Sequence, residues 1–110
     1  MSHTSEHLLV LTAMPDAKSA KALALAVIEH KLAACVNLLP KMRSFYRWQG
    51  KIQQGEEHQL LIKTHENSYV KLQEFIASEH PYELAEIIAV PIIQGLPDYL
   101  SWITDNCDVC

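Results

Sequence analysis

Glycine is scarce in this sequence: three occur in 110 residues, at positions 50, 55 and 95. No GxGxxG turn, P-loop or GxSxG elbow can be built from them, which removes the common phosphate cradles and the strained serine nucleophile. The loop after the first apolar segment, Met14-Pro15-Asp16, has neither glycine nor arginine, so it offers no phosphatase-like anion loop, and no enzymatic activity is expected. Cysteine is sparse and odd in number, at Cys35, Cys107 and Cys110. Met1 to His7 contains no basic-then-apolar leader, so a cytoplasmic protein with free thiols is expected rather than a disulfide framework. Basic charge is in deficit too: 9 Lys and Arg against 13 Asp and Glu leave a net charge of −4. That balance lacks the electrostatic footprint of nucleic-acid and anionic-membrane binders and favours cationic partners. No apolar run approaches the roughly 20 residues that span a bilayer.

What is present suits a folded domain: 49% hydrophobic and 20% charged residues, with no linker, repeat or low-complexity tract. A chain of this length makes one domain, 1–110, of about 13 Å radius of gyration. Its ends, 1–6 and 105–110, are expected to be flexible tails. Residues 7–13 form an apolar run of strand length, stopped by Met14-Pro15-Asp16. Asp16 can cap a helix in which Ala20, Leu23, Ala24, Val27 and Ile28 follow i, i+3, i+4 spacing, ending near Lys31. Residues 32–39 and, past Pro40, the alternating 44–48 predict one arm of a long hairpin. Gln49-Gly50 is its turn, and Ile52 and residues 59–64 are the return arm, with kinks near Pro40 and Gly55.

Asn67 is placed to cap a second helix bearing Tyr69, Leu72, Phe75 and Ile76. That helix must stop by His80, because the residue before Pro81 is pushed out of the α region. Residues 86–93 read as a last strand whose Pro91 confines it to an edge. Gly95, Pro97 and Asp98 then open a short helix with Tyr99, Trp102 and Ile103 on one side. The order βαββαβ plus a C-terminal helix predicts an α+β, ferredoxin-like sandwich. RNA-recognition modules share this order but need aromatics on the central strands. Here the first strand has none, and the third offers Leu60, Leu61, Ile62 and Lys63.

Several side chains carry more than one reading. His80, flanked by Glu79 and followed by Glu83 and Glu86, either caps its helix or joins those carboxylates around a borderline ion such as Cu²⁺ or Zn²⁺. Cys107-x-x-Cys110 has no second Cys or His pair after it, and Asp105 and Asp108 beside it disfavour thiolates; it reads as tail, and Cys35 as a buried packing residue. Lys63 needs accommodation mid-strand, either as edge protection or in a polar pocket or subunit junction with Glu57 or Asp98. Tyr46 and Trp48 form a hairpin mini-cluster or an interface anchor. Arms rising about 3.3 Å per residue over roughly 14 residues outrun a compact domain of this size, so the excess must bend or pack on a neighbour.

From about Leu8 to Ile103 the chain resembles the CutA divalent cation tolerance family. The matching stretches are Leu32-Ala33-Ala34-Cys35-Val36-Asn37, Tyr46-x-Trp48-x-Gly50-Lys51-Ile52, Glu57 leading to Ile62-Lys63-Thr64, His80-Pro81-Tyr82-Glu83, and Pro91-Ile92 leading to Gly95 and Tyr99-Leu100-x-Trp102-Ile103. The resemblance implies a homotrimer of ferredoxin-like subunits, shaped like PII signalling proteins, whose hairpins exchange contacts. It also implies a role in metal ion tolerance, with copper the usual ligand. The implied metal ligands are His80, Glu79 and Glu86. The alternative it leaves open is a PII-like signalling or scaffold trimer with an inter-subunit pocket of Trp48, Glu57, Lys63, Tyr82 and Asp98. Thr12 stands where some members have a metal-binding cysteine, and Ala85 where proline is usual.

Overall fold

A computed structural model describes residues 6–109. Strand β1 (His7–Met14) leads to α1 (Ala17–Glu29). Asp16 caps that helix, its carboxylate accepting the Ser19 N–H at 2.7 Å, and this bond holds the Asp16 carboxyl below the usual carboxylate range. The helix closes with Leu32 N–H on the Val27 carbonyl and Lys31 N–H on that of Ile28, both at 3.0 Å. Lys31 takes a φ of 56° to make this Schellman closure.

Strands β2 (Cys35–Leu38) and β3 (Met42–Trp48) are separated at Pro40, the expected break. Gln49 and Gly50, with φ of 51° and 78°, turn the chain into β4 (Lys51–His65); two successive positive φ values suit the twist of a tight hairpin. The kink expected at Gly55 is not an interruption, because Gly55 sits in register opposite Ser44 and the 15-residue strand runs through. Helix α2 (Glu66–Glu79) is capped by His65, whose Nδ1 accepts the Asn67 N–H at 3.0 Å. Asn67 was the expected cap; its side chain instead donates to the Val109 carbonyl. The last strand, β5 (Ile88–Pro91), is shorter than 86–93: its register with β1 covers these residues, and beyond it the Ile92 N–H donates to the His7 carbonyl at 2.9 Å. Helix α3 (Pro97–Asp105) ends the regular structure.

The sheet order is β2-β4-β1-β5, antiparallel throughout, with β3 extending from β4 beyond it. This is the ferredoxin-like α+β arrangement, with Pro91 on an edge strand as expected. Helices α1 and α2 cover one face: Val10, Leu60 and Ile62 meet Leu23, Val27, Leu72 and Ile76 in the core. Strand alternation sends Leu9, Leu11, Leu61 and Lys63 to the other face, beside Ile88 and Val90, which are 53% and 47% exposed. Helix α3 closes the His7 and Lys63 end of that face through His7 to Thr104 (2.9 Å) and Lys63 to Tyr99 (3.4 Å). Cys35 is half-buried there rather than a core residue. Among the described residues, no helix is long and apolar enough to cross a membrane.

Residues 105–109, expected as a tail, are packed against the domain. Cys107 is 8% exposed, the Asp108 N–H donates to the Lys31 carbonyl at 2.8 Å, and the Asp108 carbonyl accepts the Ser68 hydroxyl at 2.5 Å. An apolar side chain and three backbone partners outweigh the tendency of a terminus to fray. Cys110 and residues 1–5 lie outside the described residues.

Replacing Ser68 by Ala should therefore cost about 1 kcal/mol in denaturant unfolding, the net worth of one hydrogen bond. It should also speed amide exchange at Cys107 and Asp108. Unchanged exchange would show that the segment is not held there.

Candidate functional site

The outer half of the hairpin and the loop that follows α2 enclose an open cleft of ≈ 1000 Å³. Residues 44–48 and Glu57 form one wall, 81–88 the other, and Ala13 lies at the base. The hairpin register gives this wall its character. Met42 opposes Glu57, Ser44 opposes Gly55 and Tyr46 opposes Gln53, so Ser44, Tyr46, Trp48 and Glu57 share one face, while Phe45, Arg47 and Ile52 share the other.

The opposite wall is set by His80. Pro81 stops α2, and His80 takes an extended φ, ψ of −77° and 134° as its C-cap. Its ring is buried and doubly bonded: Nε2 lies 2.7 Å from the Ala13 carbonyl and Nδ1 accepts the Tyr82 N–H at 3.2 Å. A carbonyl can only accept and an N–H can only donate, so these partners define the neutral Nε2–H tautomer. The ring thereby ties the loop to the end of β1, and Tyr82 packs on it with centroids 4.8 Å apart. The Tyr82 hydroxyl is pushed up to about 12, first by burial and then by its hydrogen bond to the Glu57 carboxylate and the charge of that group.

Of the residues singled out from the sequence, the cleft brings together Tyr46, Trp48, Glu57, Tyr82, Glu83, Ala85 and Glu86, whereas Lys63, Asp98, Thr12 and Glu79 do not line it. Lys63 meets neither Glu57 nor Asp98; its ammonium bonds the Tyr99 hydroxyl and lies 5.6 Å from that ring's centroid. Asp98 opens α3 and does not line the cleft. Thr12 is fully buried on the helix-covered face, its hydroxyl without a hydrogen-bond partner among the described residues.

The implied metal set, His80 with Glu79 and Glu86, does not fit a metal in this arrangement. Both imidazole nitrogens are committed, so no lone pair is available, and a metal requires one. Glu79 does not line the cleft that holds Glu86. Among the described residues, no group of three or more His, Cys, Asp or Glu is placed to hold an ion. Sequence reasoning missed the Ala13 carbonyl as the partner of His80, a contact across 67 positions. It also missed the pairing of Ser44 with Gly55 in the hairpin wall, for which two small residues equidistant from the turn were the available signal.

Residues 8–106 match the family described as CutA1 divalent ion tolerance protein. The chain is 51% identical over 89 residues to mouse Protein CutA, covering 81% of this chain and 50% of that one, so it spans half the length of the mouse protein. It is 42% identical over 98 residues to the divalent-cation tolerance protein CutA of Thermus thermophilus, covering 89% and 95% of the two. Among solved structures, CutA1 of the psychrotrophic bacterium Shewanella sp. SIB1 superposes with a TM-score of 0.92 at 41% identity, over 96% of this chain and 98% of that one.

Two outcomes follow from the site's geometry. His80→Ala leaves a buried carbonyl and an N–H unpaired and should lower metal-free stability by about 2 kcal/mol or more, whereas Glu79→Ala on the exposed last turn should stay within about 0.5 kcal/mol. A histidine serving only as a metal ligand would leave metal-free stability unchanged. In alkaline absorbance titration, the signal lost in Tyr82→Phe should centre near pH 12 rather than the ordinary 10.0, and Glu57→Gln should move it down. A raised folded pKa means that this phenol's contribution to stability is present below pH 10.0 and is lost as pH rises through about 12.

Proposed function

We propose, from the premise that this chain belongs to the CutA1 divalent ion tolerance family, that it is a non-catalytic homotrimeric binding protein with its ligand site in the hairpin cleft. The observation that carries this is the unsupported hairpin. Residues 42–48 and 51–57 pair only with each other among the described residues. On the face opposite Tyr46 and Trp48 they expose Phe45 at 67% and Ile52 at 74%. A two-stranded ribbon alone is marginally stable in water, and these side chains, with Ile88 and Val90 on the uncovered sheet face, exceed the scattered apolar exposure of a monomer. A second copy is the economical cover, since the same surfaces then satisfy one another around a closed ring. The number three rests on the family resemblance. The absence of catalysis is supported by the cleft's polar groups, two phenols, a serine hydroxyl, an indole, a guanidinium and carboxylates, among which no base is paired with the serine, and by the nearby imidazole being held elsewhere.

Divalent-metal binding is the second reading, favoured by the divalent-cation tolerance name of the Thermus thermophilus relative, with copper the metal that the family resemblance implies. It requires the His80 ring to give up Ala13 or Tyr82 before it can ligate Cu²⁺ or Zn²⁺. A signalling or scaffold trimer is the corresponding role if the cleft ligand is organic.

Light scattering coupled to gel filtration should give a trimer's mass for the native chain and a smaller species for Ile52→Glu; a native monomer at micromolar concentration contradicts the assembly. Calorimetric titration of Cu²⁺ and Zn²⁺ separates the two ligand readings. With His3→Ala as the background, to remove a competing imidazole, adding His80→Ala should leave affinity and stoichiometry unchanged. A loss of binding would establish the copper reading instead.

A further inference from the structure

We propose that the cleft takes an organic cation, an alkyl-substituted ammonium held between the aromatic hairpin face and the Glu57 carboxylate. This rests on the reading of the cleft as the ligand site and names the class of its ligand. The first observation is the composition of one hairpin face, where Tyr46 and Trp48 stand on the same side as Glu57. Between them the Ser44–Gly55 pair leaves a hollow, and a Cβ added at Gly55 would meet nothing within 4 Å. Aromatic faces attract cations, Trp most strongly, and a diffuse alkylammonium suits a broad, partly apolar site.

The second observation is how charge is distributed around that face. The neighbouring cations Lys41 and Arg43 are drawn to Glu56, at 3.3 Å and 3.9 Å, and among the described residues no ion pair reaches Glu57. Arg47, which also lines the cleft, alternates to the other side of the hairpin from Trp48, and its guanidinium is engaged with the Gly50 carbonyl, to which it donates at 3.4 Å. Lys51 opposes Trp48 at the tip and does not line the cleft. Glu83 and Glu86 add negative charge from the other wall. Glu57 is also the group that, after burial, raises the Tyr82 phenol, so its carboxylate stands where both walls of the cleft can present it to a ligand.

A compact metal ion is the poorer fit, because it needs several oxygen or nitrogen ligands converging at short range. An ammonium needs one carboxylate and aromatic walls. Ile52 lies on the other hairpin face from Tyr46 and Trp48 and does not line the cleft, so a second copy covering it leaves the cleft open.

The test is calorimetry on the full chain with EDTA present, using choline as the charged probe and 3,3-dimethylbutan-1-ol as its uncharged isostere. Choline should bind at least about tenfold more tightly than the isostere, and Glu57→Gln should weaken choline by about tenfold with the assembly's mass unchanged. Trp48→Phe, which keeps a ring, should bind choline more weakly but still measurably. Equal binding of the two probes, or full affinity in Glu57→Gln, would overturn the assignment. Light scattering on the same samples keeps the two readings apart: an intact trimer that ignores choline overturns the ligand class, while choline binding by a monomer upholds it and overturns the assembly.

Discussion

Strand β4 spans 15 residues, and only its second half is anchored by a core. Leu60, Ile62 and Thr64 are fully buried between β1, β2 and the helices, so the strand's direction and twist are fixed there. Among the described residues the first half has no such support and projects with β3 as its sole strand partner. The radius of gyration, 14.6 Å, exceeds the roughly 13 Å of a compact chain of this length, and the excess is this arm. Everything distinctive about the molecule follows from one rigid strand carrying a buried half and an exposed half. The cleft exists because the exposed half stands clear of the 81–88 loop, and the proposed partner contact rests on Phe45 and Ile52, the large apolar side chains that the outer face exposes between Arg43, Arg47, Gln54 and Glu56.

His80 is the second fixed point. Its ring spans from the Ala13 carbonyl to the Tyr82 N–H, so the loop after α2 is held against the end of β1. Tyr82 is then presented to Glu57, and the burial that raises its hydroxyl also keeps it protonated as a donor. The histidine that a motif comparison would assign to metal thus acts here through geometry, as a positioning residue. Members of one family can keep a histidine for either purpose, since the same imidazole ligates or bridges according to what its nitrogens face.

The fold was legible in the sequence wherever a signal was local. Two helical stripes, the Pro81 stop, the Gln49-Gly50 turn and the edge placement of Pro91 depend on a few neighbouring residues, and all appear where periodicity and turn chemistry put them. The differences arise where a distant partner decides. Gly55 stays in an unbroken strand because Ser44 pairs with it. Segment 105–109 is docked because Lys31 and Ser68 supply hydrogen bonds from other elements. Lys63 finds Tyr99, not a carboxylate, because α3 folds over that end of the sheet. Half of the site was visible for the same reason: Trp48, Glu57 and Tyr82 were marked by type, but their sharing of one cleft is a matter of register.

The central claim is that the hairpin is stable only because another copy covers its outer face. Amide hydrogen exchange read residue by residue tests this directly. Covered, the amides of Tyr46, Arg47 and Ile52 should be protected to a degree approaching that of β1, with protection falling on dilution as the assembly dissociates. Fast exchange at these amides in a chain whose β1 and β4 core remains fully protected, with no dependence on concentration, would contradict the account.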